Sequence, residues 1–234
     1  MLPSPIFIFA AAFVCIIVLL FMRPRRFYFV RHGETLANIK HIRQGEEGGL
    51  SENGQHQAEQ VGKDLAQLSI ARIISSPYPR AKETATIINT YIHAPIHYST
   101  LLRERRNPSE IIGQDRDKPE VARIIDQIDL SYHNDDYRFS DEENFIDLKK
   151  RAKKCLAFLS RQSASETCVI THHVFLKMLL SYMLHRERLH AADFAKLSFF
   201  NTSDNAGISI CEFHPWKMFS STRGWEVVTY NQSP

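Results

Sequence analysis

The sequence predicts an α/β fold, a three-layer sandwich with a mostly parallel central sheet and helices on both faces, preceded by an N-terminal transmembrane helix. Strand-like apolar segments alternate with helical ones throughout residues 27–234, which is typical of α/β domains with largely parallel sheets. Residues 5–22 carry no charged side chain and have about the length that a helix needs to cross a bilayer. With 234 residues, 44% of them hydrophobic and 24% charged, the chain fits one sizeable folded domain.

The N-terminal apolar segment is interpreted as an uncleaved membrane anchor. No basic residue precedes it, whereas Arg23, Arg25 and Arg26 follow it, and both features are atypical of a cleaved signal peptide. Arginines beside a membrane helix favour the cytoplasmic side, so we expect a single-pass membrane protein whose folded domain lies in the cytoplasm. The predicted division is an anchor with a basic juxtamembrane segment at residues 1–26, and one domain at residues 27–234. A buried core helix and an atypical signal peptide are the alternatives.

Hydrophobic periodicity places the helices and strands of the domain. The first strand begins with four apolar residues, as expected for a buried strand, and the helix after it has apolar residues at spacings of three and four. The C-terminal segments alternate apolar and polar residues with period two, which predicts two closing antiparallel strands. The predicted elements are, in order, strand 27–31, helix 54–68, strand 73–74, helix 81–92, strand 96–98, helix 119–128, helix 145–159, strand 167–171, and strands 208–213 and 225–230.

Local signals support two of the helix starts. Pro119 suits the first turn of a helix, where its missing N–H is not needed. Ser140 and Glu143 have the spacing of a capping box, which predicts that the long helix containing residues 145–159 begins directly after Ser140. Each signal predicts a helix boundary from a few neighbouring residues.

Composition and spacing argue against several kinds of ligand. A net charge of +3, with the basic residues scattered along the chain, does not indicate a nucleic-acid partner. The cysteines form no C-x-x-C pair, and Pro95 lies between His93 and His97, which opposes a helical metal site there. Residues 45–49 are glycine-rich but lack the dinucleotide-binding pattern. We therefore predict no metal, no other cofactor and no nucleic acid.

Histidines, arginines and a glutamate stand where the predicted strands end. In open α/β sheets, ligands bind beyond the carboxyl ends of the strands, so these side chains are expected to meet at one edge. Arginine offers planar, bidentate donors for phosphate oxygens. Two histidines, two arginines and a carboxylate at one point therefore predict a site for a phosphate dianion. The candidates are, in chain order, Arg31, His32, Arg80, Glu104, and either His172 or His173.

These residue types suit transfer of a phosphoryl group without a metal. A neutral imidazole is nucleophilic near pH 7 when a hydrogen bond holds its other nitrogen, and His32 is the candidate for this role. Arg31, Arg80 and the second histidine could stabilise the charge on the equatorial oxygens in the transition state. Glu104 could donate a proton to the leaving alkoxide, after which water would hydrolyse the phosphohistidine.

The motifs around these residues resemble the histidine phosphatase superfamily, in its phosphoglycerate-mutase-like group. The resemblance covers about residues 27–230 and implies a phosphatase that hydrolyses a phosphomonoester. Its expected partners are a phosphorylated small molecule or phosphoprotein as substrate, and the membrane through residues 5–22. The five segments that carry the resemblance stand in the expected order: RHGET at 31–35, LSENGQHQA at 50–58, SSPYPRAKETA at 75–85, LRE at 102–104 and VITH at 169–172.

The resemblance implies a role for each site residue. His32 would be the phosphorylated nucleophile, and Glu104 would be the proton donor. Arg31, Arg80 and His172 would form the clamp around the phosphate. The implied substrate-binding positions are Asn38, Gln44, Gly45 and, where the family commonly has glycine, His173.

Several alternatives stay open at this point. The chain lacks the tyrosine and lysine that the mutase branch carries soon after the glutamate, which favours hydrolysis over a phosphomutase. A catalytically silent domain that binds a phosphorylated ligand at the membrane is a third hypothesis. Arg80 could instead cap a helix, and Glu104 could pair with a neighbouring arginine. His172 is preferred to His173 because adjacent strand residues face opposite ways, so that only one can point inward.

A group of basic residues after the glutamate has two interpretations. These residues could bind a second anionic group on the substrate, or they could belong to a solvated surface, which explains them about as well. The residues are Arg105, Arg106, Arg116 and Lys118.

Overall fold

A mixed sheet of six strands forms the centre of the fold in the computed structural model, which describes residues 23–200, 203–217 and 219–232. The strands are β1 (Arg25–Arg31), β2 (Arg72–Ser75), β3 (Ile96–Tyr98), β4 (Glu166–Thr171), β5 (Ile208–Phe213) and β6 (Trp225–Gln232). Their order across the sheet is β3-β2-β4-β1-β5-β6. The first four strands of this order pair in parallel, whereas β5 pairs antiparallel with both β1 and β6. The sheet predicted as mostly parallel is thus parallel on one side and antiparallel on the other.

Helices cover both faces of this sheet. Residues of the helices at 52–65 and 79–92 form one apolar cluster with the strands. Residues of the helices at 145–159, 173–185 and 191–200 form another on the opposite face. The fold therefore has a helical layer on each side of the sheet. Within the described residues the helices are α1 (Leu36–Ile39), α2 (Glu52–Leu65), α3 (Pro79–Ile92), α4 (Pro119–Leu130), α5 (Phe145–Leu159), α6 (His173–His185) and α7 (Ala191–Phe200).

The apolar middle of β1, residues 27–30, contributes to both clusters. Phe27 and Phe29 are fully buried with residues of α5 and α6, whereas Tyr28 and Val30 are buried with residues of α2 and α3. Neighbouring strand residues point to opposite faces, so a strand covered by helices on both sides has no exposed position for a polar residue. This explains why the segment is an unbroken apolar run until Arg31.

Several element predictions agree with the structure, and three helices were not predicted. The helix predicted at 54–68 is α2, Pro119 is the first residue of α4, and the closing strands pair antiparallel. The helices that were not predicted are the single-turn α1 and the longer α6 and α7. In α6, every residue from Phe175 to Met183 is buried, so the helix has no polar face and no amphipathic period to detect.

The predicted start of the long helix is wrong. Helix α5 begins after Asn144, whose side chain accepts a backbone N–H of the first turn. Ser140 instead has a left-handed φ of 51°. The carboxylate of Glu143 forms an ion pair with Arg151 at 2.6 Å. Ser140 and Glu143 have the spacing of a capping box, but Glu143 pairs with Arg151 and does not cap the helix.

The predicted fold class requires a correction at the N-terminus. Across residues 23–200, 203–217 and 219–232, no helix combines the length and apolar character needed to cross a bilayer. The transmembrane helix predicted at residues 5–22 is not among the helices of this fold, and that segment lies outside the described residues. The cytoplasmic placement of the domain was inferred from the same segment and stays a prediction.

The carboxyl ends of β1, β2 and β4 lie side by side. Arg31 is in register with Thr171, and Ser75 is in register with Ile170. The N–H of His32 donates to the carbonyl of Thr171 at 3.1 Å, so the pairing of β1 with β4 continues one residue past β1. The residues that follow these three strands therefore reach the same edge of the sheet.

A close backbone contact holds the chain that follows β1. A side chain on Gly33 would collide with the carbonyl of Gly54, and a side chain on Gly54 would collide with the carbonyl of Glu34. The N–H of Gly33 also donates to the hydroxyl of Thr84 in α3 at 3.1 Å. The start of α2 and the middle of α3 thus fix the backbone next to His32.

Candidate active site

A polar cavity of about 290 Å³ opens at the carboxyl edge of the sheet. Two predicted site residues do not line the cavity but contact residues that do. The carbonyl of Gly45 accepts a hydrogen bond from Arg80, and the ring of His172 lies against that of His32. The structure therefore brings all nine predicted residues to one place. The seven that line the cavity are Arg31, His32, Asn38, Gln44, Arg80, Glu104 and His173.

The imidazole of His32 is buried, and its hydrogen bond defines the tautomer. Nδ1 lies 2.7 Å from the carbonyl oxygen of Gly33, which can only accept, so Nδ1 carries the proton. Nε2 therefore keeps its lone pair, and the ring contributes to the surface of the cavity. Burial, followed by the nearby Arg80 and Arg31, holds the pKa of His32 well below its usual value of 6.5. At neutral pH the side chain is an oriented, uncharged imidazole.

We expect His32 to remain neutral at about pH 6, because protonation would place a buried cation beside two arginines. The sign follows from the lowered pKa: the neutral form is lost only as the pH falls through that lowered value. If the neutral form is required for activity, protonation of His32 should cause no loss of kcat/KM at pH 6. Nitrogen resonances of labelled histidine measure the ring directly, and titration of His32 with a midpoint near 6.5 would contradict this prediction.

Two arginines lie beside this imidazole. Arg80 is 2% exposed, and its Nη1 donates to the carbonyls of Gly45 at 2.9 Å and Glu46 at 3.3 Å. Arg31 donates from Nη1 to the carbonyl of Ser203. Burial lowers the pKa of Arg31 to about 10, so the group is still cationic at pH 7. Among the described residues, the Nε of neither arginine has a hydrogen-bond partner, so each guanidinium keeps an unused donor.

The two histidines after β4 approach the cavity in different ways. The ring of His172 is fully buried, with its centroid 5.1 Å from that of His32, and its Nε2 lies 2.8 Å from the hydroxyl of Ser76. His173 lines the cavity, and its Nδ1 lies 2.8 Å from the hydroxyl of Ser203. Burial lowers the pKa of His173 to about 4 and that of His172 well below 6.5, so both rings are neutral at pH 7.

Strand alternation does not separate these two histidines. The expectation that only one of them points inward assumed that the strand extends through both. Strand β4 ends at Thr171, His172 is the N-cap of α6, and His173 is the first residue of that helix. Because the chain turns from strand to helix at this point, both rings can approach the site.

The carboxylate of Glu104 is bound to the start of α6. Oε1 accepts from the N–H of Arg105 at 2.8 Å and of Phe175 at 3.0 Å, and Oε2 accepts from the N–H of Val174 at 3.1 Å. These partners are backbone amides, so the alternative that Glu104 pairs with a neighbouring guanidinium is not what the described residues show. Because Oε2 accepts a single hydrogen bond, it retains a lone pair that could carry a proton.

Asn38 and Gln44 differ in what they offer to a ligand. Oδ1 of Asn38 accepts from the N–H of Thr35 at 3.1 Å and from Nδ2 of Asn205 at 3.2 Å, which leaves its NH₂ group as the donor for the cavity. Both polar atoms of Gln44 are bonded to protein: Oε1 accepts from the hydroxyl of Thr35 at 3.0 Å, and Nε2 donates to the carbonyl of Glu47 at 2.9 Å. Gln44 therefore holds the shape of the loop.

Three residues of this site had no predicted role. Ser76 contacts His172 and stands in a motif at the end of β2, so a local signal existed. Asn205 donates to the carbonyl of His32 at 3.2 Å and also contacts Asn38, but it comes from the loop before β5 and no pattern around it indicates this. Arg43 lines the cavity, and its only signal was its position beside Gln44.

The described part of the chain contains no group of three or more His, Cys, Asp or Glu side chains arranged to hold a metal ion. The polar atoms of the cavity are instead arginine, histidine and amide donors together with one carboxylate. This set suits an anionic ligand.

The chain also shares sequence and fold with known proteins. The sequence profile of the histidine phosphatase superfamily (branch 1) matches residues 27–228. A probable phosphoglycerate mutase of Salmonella arizonae is 31% identical over 164 residues, which are 67% of this chain and 74% of the relative.

Two solved phosphatase structures have the same fold. A mycobacterial glucosyl-3-phosphoglycerate phosphatase superposes with a TM-score of 0.71 at 22% identity, covering 90% of this chain and 100% of that one. A putative alpha-ribazole-5'-P phosphatase from Escherichia coli has a TM-score of 0.73 at 19% identity, with coverages of 89% and 97%. At these identities the likeness shows the fold, and the profile match shows the family. The chain therefore belongs to the histidine phosphatase superfamily, branch 1.

Proposed function

We propose that this enzyme hydrolyses phosphomonoesters of small molecules through a phosphohistidine on His32, without a metal ion. The observation that carries the proposal is the 2.7 Å hydrogen bond from Nδ1 of His32 to the carbonyl of Gly33, because it leaves the lone pair of Nε2 for the cavity. Arg31 and Arg80 line the same cavity. An uncharged nitrogen beside two cations suits in-line attack on the phosphorus of an anionic ester.

In the first half-reaction, Nε2 of His32 attacks phosphorus and the bond from phosphorus to the ester oxygen breaks. The electron pair of that bond goes to the leaving oxygen, which takes a proton from the carboxyl group of Glu104. Oε2, which accepts only the N–H of Val174, is the oxygen that can carry this proton. The product alcohol leaves, and the phosphoryl group stays on Nε2.

In the second half-reaction, water attacks the phosphorus of the phosphohistidine. The phosphorus–nitrogen bond breaks and its electron pair returns to Nε2 of His32. Glu104, now a carboxylate, accepts a proton from the attacking water, which restores its starting state. Inorganic phosphate is released.

Arg31, Arg80 and His172 stabilise the negative charge of the three equatorial oxygens in both steps. The arginines supply cationic N–H groups. If the hydroxyl of Ser76 donates to Nε2 of His172, at 2.8 Å, then Nδ1 of that ring carries the proton. Nδ1 has no other partner among the described residues, so it can donate to a phosphate oxygen.

A small molecule, rather than a phosphoprotein, is the substrate class that the cavity favours. A volume of about 290 Å³ suits a phosphate with a few further atoms. The two phosphatases of similar fold are named for glucosyl-3-phosphoglycerate and alpha-ribazole-5'-P, which are phosphorylated small molecules.

The covalent intermediate is expected to be trapped when turnover is stopped in alkali, in which phosphohistidine survives. Mass spectrometry of the digested protein should then find one phosphoryl group on the peptide that contains His32. Hydrolysis of an aryl phosphate should be unchanged by EDTA, because no step uses a metal. A phosphoryl group on another residue, or activity lost on chelation and restored by a metal, would overturn the mechanism.

A phosphomutase is the second candidate, because a relative that is 31% identical is named a probable phosphoglycerate mutase. A mutase would pass the phosphoryl group from His32 to an acceptor hydroxyl rather than to water. Phosphorus resonances recorded with a phosphorylated hydroxy acid distinguish the two: hydrolysis releases inorganic phosphate, and mutase activity produces the positional isomer.

A further inference from the structure

We propose that the cavity contains a second subsite, formed by Arg43, Arg105 and Arg116, that binds a second anionic group on the substrate. The enzyme would then prefer phosphomonoesters that also carry a carboxylate or another phosphate over esters with a single anionic group. This inference rests on the proposed function, because it assigns the substrate class of the same site.

Two of these arginines are placed by a pair of neighbouring backbone segments. The N–H of Arg43 donates to the carbonyl of Gln114 at 2.9 Å, and the N–H of Arg116 donates to the carbonyl of His41 at 3.0 Å. The two segments therefore run side by side and bring Arg43 and Arg116 to the same wall of the cavity. Their relative position is set by main-chain hydrogen bonds rather than by flexible side chains.

The third arginine comes from the segment that carries the proposed proton donor. Arg105 directly follows Glu104, and its Nη1 donates to the hydroxyl of Tyr132 at 3.0 Å. Its side chain lines the cavity together with Arg43 and Arg116. The subsite thus lies in the cavity that His32 also lines, so one small ligand can contact both.

The positive charge in the cavity exceeds what one phosphate can neutralise. Five arginines and a single carboxylate line it, which gives a net charge of +4 with its histidines neutral. The carboxylate, Glu104, already accepts three backbone N–H groups. A phosphate dianion brings two negative charges, which Arg31 and Arg80 can match. The remaining arginines are therefore available to a second anion.

Burial distinguishes two arginines of this subsite, Arg43 and Arg105, from a solvated basic surface. Arg43 and Arg105 are half-buried, and the Nε of each has no hydrogen-bond partner among the described residues. Burial, followed by the positive charges of Arg116 and Arg105, lowers the pKa of Arg43 to about 10. Asp129 acts on Arg43 and Arg105, and Glu142 also acts on Arg105. Neither of these carboxylates lines the cavity, whose described lining contains Glu104 as its one acidic side chain.

The structure also separates the two interpretations of the basic residues after Glu104. Arg105 and Arg116 line the cavity, whereas Arg106 and Lys118, which are exposed as Arg116 is, do not belong to its lining. Lys118 instead donates to the side-chain oxygen of Gln114 at 3.0 Å. The solvated-surface interpretation therefore applies to Arg106 and Lys118 only.

Three ligands with the same three-carbon chain test the subsite: propyl phosphate, 3-phosphonooxypropanoate and propane-1,3-diyl bisphosphate. Calorimetric titration of the full chain carrying His32→Gln measures their binding without turnover. We expect the carboxylate ligand, the bisphosphate or both to bind at least about tenfold more tightly than propyl phosphate, the gain typical of one charge-assisted hydrogen bond. Comparison of the two doubly anionic ligands tells which second group the subsite prefers.

The quantity compared between variants is the dissociation constant of propyl phosphate divided by that of the tighter-binding doubly anionic ligand. This ratio is measured after Arg43→Gln and, separately, after Arg116→Gln. Each change is expected to reduce the ratio by about fivefold or more. Arg116 is exposed, so its replacement tests the subsite even if replacement of Arg43 impairs folding. The matched control is Arg161→Gln, an exposed arginine that does not line the cavity, and its ratio should not change.

Equal dissociation constants for the three ligands, or a ratio that survives both substitutions, would overturn the second subsite. Hydrolysis is assayed separately with the unmodified chain and all three ligands. If none of them and no aryl phosphate is hydrolysed while the ratio behaves as expected, the subsite stands and the proposed phosphohistidine mechanism fails. The two proposals are therefore tested by different measurements.

Discussion

Replacing His32 by alanine is expected to lower kcat for an aryl phosphate by at least about 10³-fold. The change removes the nitrogen that is proposed to form the covalent intermediate, and water in the vacated space is a much weaker nucleophile. A second variant, His32→Gln, places an amide that can still donate to the carbonyl of Gly33, and it is expected to lose as much activity. Steady-state kinetics at saturating substrate measures the effect.

Two controls separate loss of chemistry from loss of folding. His56 is exposed on α2, outside the cavity, so His56→Ala should keep kcat within about twofold. Thermal unfolding of each His32 variant should remain cooperative. More than about a tenth of the original kcat in either folded His32 variant would exclude His32 as the nucleophile.

Replacing Arg80 by glutamine is expected to lower kcat/KM by about 10²- to 10³-fold, the typical effect of removing one preorganised donor to a developing oxyanion. The guanidinium is buried and held by the carbonyls of Gly45 and Glu46, so its direction is set before the substrate binds. Arg80→Lys should recover only a small part of the loss, because an ammonium group cannot make two parallel hydrogen bonds. Lys82→Gln, exposed on the same helix, is the matched control.

The pH profile distinguishes an electrostatic role of Arg80 from a merely structural one. The charge of Arg80 is the second cause, after burial, of the lowered pKa of His32. Removing that charge should raise the pKa of His32, so the loss of activity on the acid side should begin at a higher pH in Arg80→Gln than in the original enzyme. A variant with low activity but an unshifted acid side, or activity within about fivefold of the original, would contradict this assignment.

Local patterns were informative where burial and chain direction alone decide the outcome. The apolar run at residues 27–30 predicted a buried strand, and Arg31 and His32 follow it at the carboxyl edge, as ligand sites of α/β sheets require. The same argument predicted that the residues after β2 and β4 would join them. Those residues meet because parallel strands in register end at a common edge, which topology implies before any side chain is placed.

Local patterns failed where a distant contact competes with a nearby one. Ser140 and Glu143 have capping-box spacing, yet Glu143 pairs with Arg151 and the helix starts after Asn144. The sequence could not show which of the basic residues after Glu104 line the cavity and which are solvated, because both kinds stand in segments of similar composition. Helix α6 escaped prediction because a helix buried on all sides shows no period.

The sequence by itself determined the family, the alternation of strands and helices, and the residues that the strands deliver to one edge, because each of these depends on residue type and on order along the chain. Only the tertiary structure decided how those residues are used. It directed Nδ1 of His32 to a carbonyl, bound Glu104 to the amides of α6, and gathered Arg43, Arg105 and Arg116 around one cavity. The last two arrangements join residues far apart in sequence, and the first depends on a backbone at Gly33 that is held by contacts with Gly54 and Thr84. Hydrogen bonding and packing therefore fix all three only when the chain has folded.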